Sequence, residues 1–84
     1  MNCWIVYIAR AKNAKLYTGI TNNLEKRMEE HSSGKGGARF FRSSPFEKVV
    51  FQEKHADKSS ALKRECAIKK LPRLKKLELI EGAV

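Results

Sequence analysis

From Trp4 to Ala9 the chain is apolar at odd and even positions alike, the pattern of a strand covered on both faces. Such a strand belongs at the centre of a sheet, and the β-like run around it extends from Cys3 to Arg10. Lys12 and Asn13 mark a turn. A second β-like run from Lys15 to Ile20 then alternates, with Leu16, Thr18 and Ile20 on one face and Tyr17 and Gly19 on the other. Tyr7 and Tyr17 share a face if residue 7 pairs with residue 17 or 19; a slip of one residue separates them. The pattern leaves that register open.

The periodicity then changes to that of a helix. Asn22 followed by Glu25 reads as an N-terminal capping box, and Gly34 supplies a stop. Leu24, Arg27, Met28 and His31 fall at i, i+3, i+4 and i+7, one continuous face. Glu25, Lys26, Glu29 and Glu30 take the outside. Arg27 and His31 are thus expected to point toward the sheet, beside the leucine and methionine that anchor the helix. Two simpler roles remain for them: an arginine at the helix margin with its guanidinium in water, and a half-buried histidine.

Between Ser32 and Pro45 lies a segment rich in glycine and serine, where Lys35, Arg39 and Arg42 are interleaved with Phe40 and Phe41. That mixture suits a loop that meets a phosphate backbone and stacks on bases, although one phenylalanine can equally close the edge of the core. Phe46 to Lys54 reads as a third strand centred on Val49, Val50 and Phe51.

Ser59 or Ser60 can cap a further helix that runs to about Leu71, and Pro72 suits the first turn of another. Lysine and arginine dominate from Lys58 to Lys76, and Glu65 is the only acid among them. On a helical wheel Ala61, Leu62, Cys66 and Ile68 form an apolar arc, with Glu65 near its middle. A carboxylate facing inward must be paired, hydrogen-bonded or bound to a cation. Lys69, at i+4, supplies an ion pair; a hard metal such as Mg²⁺ supplies the other solution, since it takes oxygen from few protein groups and the rest from water and phosphate.

Length and charge narrow the setting. A chain of 84 residues is expected to form one domain with a modest core, burying roughly 60–65% of its unfolded surface. The net charge of +9 and pI near 9.9 point to a polyanion partner. A membrane partner is disfavoured, because the run from Trp4 to Ala9 is too short to span a bilayer and has neither the basic region nor the cleavage site of a signal peptide. Cys3 and Cys66 lack CxxC or zinc-site spacing, and read as small buried apolar groups of a protein in a reducing cytoplasm.

Taken in order, these residues resemble the GIY-YIG nuclease superfamily, and most of all its small standalone bacterial members. Ile5-Val6-Tyr7 stands in place of the first tripeptide and Tyr17-Thr18-Gly19 in place of the second. Arg27 matches the helical arginine that follows, His31 the histidine one turn later, and Glu65 the metal-binding glutamate of the later helix. The stretch from His31 through Arg42, with Gly34, Gly36 and Gly37, is also similar to the standalone subfamily.

The resemblance implies an α+β fold, a three-stranded antiparallel sheet flanked by helices, and hydrolysis of DNA phosphodiester bonds with one divalent metal, Mg²⁺ or Mn²⁺, on Glu65. It implies that Arg27 stabilises phosphate charge, and that Tyr7 or Tyr17, helped by His31, acts as general base once nearby cations lower its pKa. Lys26, Lys35, Arg39, Arg42 and Lys69 are candidates for contact with nucleic acid. Three features depart from the pattern: Ile5 replaces the first glycine, Ile20 and Thr21 stand where some members have a lysine, and no asparagine follows Asn23. Three readings follow: a metal-dependent DNA nuclease active in repair or processing, a nucleic-acid-binding module that has lost turnover, and a protein that brings this basic domain to a larger repair complex.

Overall fold

The protein is described by a computed structural model that covers residues 3–33 and 45–82. Its sheet has the order β2-β1-β3, with β1 (Trp4–Ala11) in the centre, β2 (Leu16–Thr21) on one edge and β3 (Phe46–His55) on the other. Both pairings are antiparallel. Helix α1 (Leu24–Ser33) lies between β2 and β3 in sequence, and α2 (Lys58–Lys69) and α3 (Arg73–Gly82) follow β3. This is the α+β architecture expected above.

The doubly apolar run does what its pattern demands. Val6, Ile8, Leu16, Ile20 and Phe51 face Ala61 and Ile68 of α2 and Leu79 and Ile80 of α3. Tyr7, Ala9, Ala11, Tyr17, Phe46 and Val49 form the other face, under Leu24 and Met28 of α1. Each face is closed by helices, so β1 has Val6, Tyr7, Ile8 and Ala9 wholly buried.

Strand β3 departs from strict alternation. Ile8 pairs with Phe51 and Ala9 with Val49, which leaves Val50 as an extra residue in a bulge; a second irregularity at Arg10 and Ala11 leaves out Glu47. The first bulge lets Val50 and Phe51 serve the same core while Val49 serves the opposite one. The second presents Glu47 to Arg10, whose Nε and Nη2 donate to the carboxylate at 3.2 and 3.1 Å.

Several local expectations are corrected. Asn23, not Asn22, caps α1: its Oδ1 accepts from the backbone N of Lys26 at 3.1 Å, while Thr21 Oγ1 accepts from the N of Asn23 at 3.0 Å. The cap of α2 is Asp57, upstream of both serines, and it accepts from Ser60 N at 2.8 Å. That helix closes at Lys69, before Leu71. The α2 arc is narrower than read, because a helix resting on a sheet buries only positions near i, i+3, i+4 and i+7. Ala61 and Ile68 are buried, with Arg64 and Glu65 beside them, whereas Leu62 is 40% exposed and Cys66 is exposed. Cys3 immediately precedes β1 and is exposed too, so neither cysteine is the buried apolar group expected.

The β1–β2 turn is closed by Ala11 N donating to Lys15 O and Ala14 N donating to Ala11 O, each at 2.9 Å. Ala14 sits there with φ 71°, in the left-handed region that favours glycine or asparagine.

Candidate active site

Pairing of Tyr7 with Gly19 settles the question left open by the sequence, and brings both tyrosines to one face. Their ring centroids are 6.2 Å apart. Gly19 lies beneath them: a Cβ built on it would stand 2.8 Å from the Tyr7 hydroxyl and 3.0 Å from the Tyr17 ring. The residue after Thr18 is therefore glycine because the tyrosines use the volume that a side chain would fill. Sequence order alone did not disclose that reason.

Helix α1 supplies the other partners. Its 3.6-residue repeat carries Leu24, Met28 and His31 onto the tyrosine face, with Arg27 at the margin. His31 is 3% exposed, and its Nε2 lies 2.9 Å from the Tyr7 hydroxyl. Its ring also meets Tyr17 edge-on at 5.8 Å and Phe46 at 5.9 Å between centroids. Phe46 is expected from the sequence only as the first residue of the third strand, and nothing in its surroundings links it to a histidine fifteen positions earlier.

Arg27 is part-exposed and pairs with Glu30 at 3.4 Å, so Glu30 turns toward the arginine and away from the outer face assigned to it. Such a pair is weak, and the guanidinium keeps most of its donors. Together with Trp4, Ile20, Asn22 and the exposed Lys26, these residues line a cleft of about 260 Å³.

The phenol and imidazole are driven to neutrality. Burial pushes the Tyr7 hydroxyl far above its ordinary 10.0, and Tyr17 adds to the rise; Arg27 opposes both, and the Glu65 carboxylate adds a smaller upward push. Burial, then the positive charge of Arg27, holds His31 below its ordinary 6.5, against the pull of Glu30. A phenol that keeps its proton can donate to a neutral imidazole, and in the Nδ1–H tautomer Tyr7 is the donor and His31 Nε2 the acceptor. The expectation that nearby cations lower the tyrosine pKa is thus reversed for Tyr7 in the free protein, since desolvation outweighs Arg27.

Glu65, on α2, is near enough for its charge to act weakly on Tyr7. Its side chain is 15% exposed, and Lys69 Nζ reaches its Oε2 at 3.5 Å, the ion pair anticipated from the i+4 spacing. Among the described residues there is no cluster of three His, Cys, Asp or Glu side chains. One hard carboxylate oxygen set suits a cation that keeps most of its water or takes phosphate oxygen, as Mg²⁺ does, and does not suit a tetrahedral zinc centre. Lys35, Arg39 and Arg42 lie outside the described residues, as do Phe40 and Phe41. Among the described residues no helix is long and apolar enough to cross a membrane.

Comparison with known proteins identifies the family and the fold. Residues 3–78 match the family described as the GIY-YIG catalytic domain. A UPF0213 protein of Pseudomonas aeruginosa is 49% identical over 80 residues, covering 95% of this chain and 76% of the relative. One from Oceanobacillus iheyensis is 49% identical over 76 residues, covering 90% of this chain and 87% of the relative. The solution NMR structure of a UPF0213 protein from Bacillus halodurans superposes with a TM-score of 0.59 at 34% identity, over 96% of this chain and 84% of that one.

Proposed function

The chain belongs to the GIY-YIG catalytic domain family, and from that membership we propose that it is a metal-dependent nuclease that hydrolyses DNA phosphodiester bonds, with a role in DNA repair or processing. The observation that carries the reading is the Tyr7–His31 hydrogen bond of 2.9 Å, buried beside Arg27 and within the field of Glu65. A phenol bonded to an imidazole beside an arginine supplies a proton path and a phosphate-binding cation together.

Tyr7 and His31 form the proton path. As water attacks phosphorus, its proton passes to the Tyr7 oxygen while the phenolic proton passes to His31 Nε2; phosphorus gains the hydroxyl and the leaving strand departs with its electron pair. Because the two transfers are concerted, Tyr7 never has to exist as a free phenolate, which its raised pKa forbids near neutral pH. Neutral His31 is ready to accept. Tyr7 carries no exposed surface, so the water that it serves must be one admitted with the substrate. Arg27 binds two phosphate oxygens with its planar fork, and holds the charge that builds on them. Glu65 supplies the protein ligand for Mg²⁺ or Mn²⁺, which when bound polarises the phosphate and neutralises its charge. Lys26, beside Arg27 at the same cleft, contributes to backbone binding.

Incubation with labelled single-stranded, duplex, nicked and branched DNA in Mg²⁺ or Mn²⁺, beside Glu65→Ala and Arg27→Ala, tests the reading. Cleavage by the wild type and its loss in both variants is expected. Cleavage that survives in both refutes the mechanism, and steeply salt-dependent binding without any cleavage replaces it with the binding-module reading.

A further inference from the structure

At the other end of β2 lies a second concavity. Lys15, Leu16, Arg73 and Lys76 line a cleft of about 260 Å³, formed where the start of α3 meets the end of the β1–β2 turn. Three of its four lining side chains are cationic and none is acidic. Among the described residues Arg10, Arg27, Arg64, Lys69 and Lys75 have carboxylate partners. The remaining described lysines and arginines form no ion pair, and what sets Lys15, Arg73 and Lys76 apart is that they line one hollow. Like charges gathered around one hollow repel each other unless an anion occupies it.

The cleft is also held in shape. Arg73 Nη2 donates to the carbonyl oxygen of Ala14 at 2.9 Å, across 59 positions of sequence. That bond uses one of the five guanidinium N–H groups and leaves the others for a ligand. The acceptor belongs to the residue whose left-handed φ of 71° shapes the turn. Lys15 follows it directly, so turn geometry and arginine position are coupled.

The placement indicates what the ligand is. Leu16 lines this cleft and Ile20, on the same face of β2, lines the cleft of Arg27, so four steps of one strand, roughly 13 Å, join the two. Strand β2 is an edge strand, with β1 on one side only. We propose that Lys15, Arg73 and Lys76 form a second phosphate-binding site for the DNA backbone, through which a polynucleotide lying along the β2 edge is anchored while Arg27 holds the phosphate to be cut. The inference rests on the nuclease reading for its substrate and names a class within it: DNA long enough to occupy both positions, in preference to a mononucleotide. The site recognises backbone charge and not base identity.

Anisotropy titrations of a short fluorescein-labelled DNA duplex at several salt concentrations test this. The variants are Lys15→Gln/Arg73→Gln/Lys76→Gln, the double Lys15→Gln/Lys76→Gln that retains the Arg73–Ala14 bond, and a control, Lys48→Gln/Lys54→Gln/Lys63→Gln, that removes the same charge from exposed positions away from the cleft. The triple variant is expected to bind roughly tenfold to a hundredfold more weakly at physiological salt, with its log–log salt slope reduced by about 2 to 3. The double variant falls between it and the wild type, and the control triple changes both quantities far less. In cleavage assays the cleft variants raise KM and leave kcat unchanged. Equal losses in the cleft and control triples overturn the site, as does wild-type affinity in the cleft triple. If the wild type binds and never cuts while the cleft triple still loses affinity, the nuclease reading fails and the anchoring site stands. Absence of DNA binding by the wild type overturns both.

Discussion

Replacement of Gly19 by alanine places one methyl group in the most crowded part of the tyrosine site. Its Cβ would stand 2.8 Å from the Tyr7 hydroxyl, whereas ordinary contacts begin at 3.4 Å, so something must yield by about 0.6 Å. The Tyr7 ring is wholly buried and its hydroxyl is held by His31, so the relief comes from that hydrogen bond. Overpacking of this kind costs about 1–3 kcal/mol, and the lower entropy of alanine in the unfolded chain returns about 0.5–1 kcal/mol. Net destabilisation is therefore ~0–2.5 kcal/mol, which urea unfolding measures. Cleavage should suffer more than stability, because misplacement of a reacting group by up to about 1 Å can lower a rate by ~10²-fold. The imidazole reports the same event without any activity: its ring packs against Tyr7 and accepts or donates the 2.9 Å bond, so displacement of the phenol should shift the His31 ring resonances in NMR spectra. Unchanged cleavage together with unchanged His31 ring resonances would refute the proposed packing of Tyr7 over Gly19.

Further outcomes are expected. Stability should fall on both sides of a plateau: the unfolded chain protonates His31 from about 6.5 downward while the folded one resists, and it ionises Tyr7 from about 10.0 upward while the folded one does not. Urea midpoints across pH measure this, and Tyr7→Phe should abolish the alkaline loss. Arg27→Lys keeps the charge but loses the planar fork; cleavage should drop ~10²-fold or more with the melting temperature nearly unchanged, since its pair with Glu30 is part-exposed. Mg²⁺ or Mn²⁺ should raise the melting temperature of the wild type and not that of Glu65→Gln. Asp57→Ala removes the cap of α2 and should cost about 1 kcal/mol in urea unfolding.

Much of this fold can be read from residues because burial on both faces leaves a pattern that no half-exposed strand produces. Trp4 to Ala9 is such a segment. The inward face of α1 was legible for the same reason, since Leu24, Met28 and His31 obey one period. What escaped depends on local competition or on distant parts of the chain. Asn22 and Asn23 offer the same side chain, and the Thr21 hydroxyl selects Asn23 through a hydrogen bond that a capping motif does not encode. Asp57 precedes two serines and takes the cap with a carboxylate, the stronger acceptor at a helix N-terminus. The β3 bulges are decided by pairing with β1, and period-two alternation does not show them. Within the site, Tyr7, Tyr17, Arg27, His31 and Glu65 were nameable from residue type and order. The role of Gly19 as empty space, and the contact of Phe46 with His31, exist only after the strands have paired.

Helix α3 has no fully buried residue, and Leu74 on it is 75% exposed; it holds to the sheet through the half-buried Leu79 and Ile80 near its end and the Arg73–Ala14 bond at its start. An element fastened so lightly opens before the rest of the molecule does. Its amides should exchange with solvent at a free energy well below that of global unfolding, while those of β1 exchange only on global unfolding. The tyrosine site draws its residues from β1, β2, β3, α1 and α2, so local melting of α3 leaves the chemistry assembled and removes two of the three cleft cations. The affinity of this protein for a polyanion and its capacity to act on one are thus carried by cooperative units of different stability. Mild denaturant or a rise in temperature should loosen the grip first.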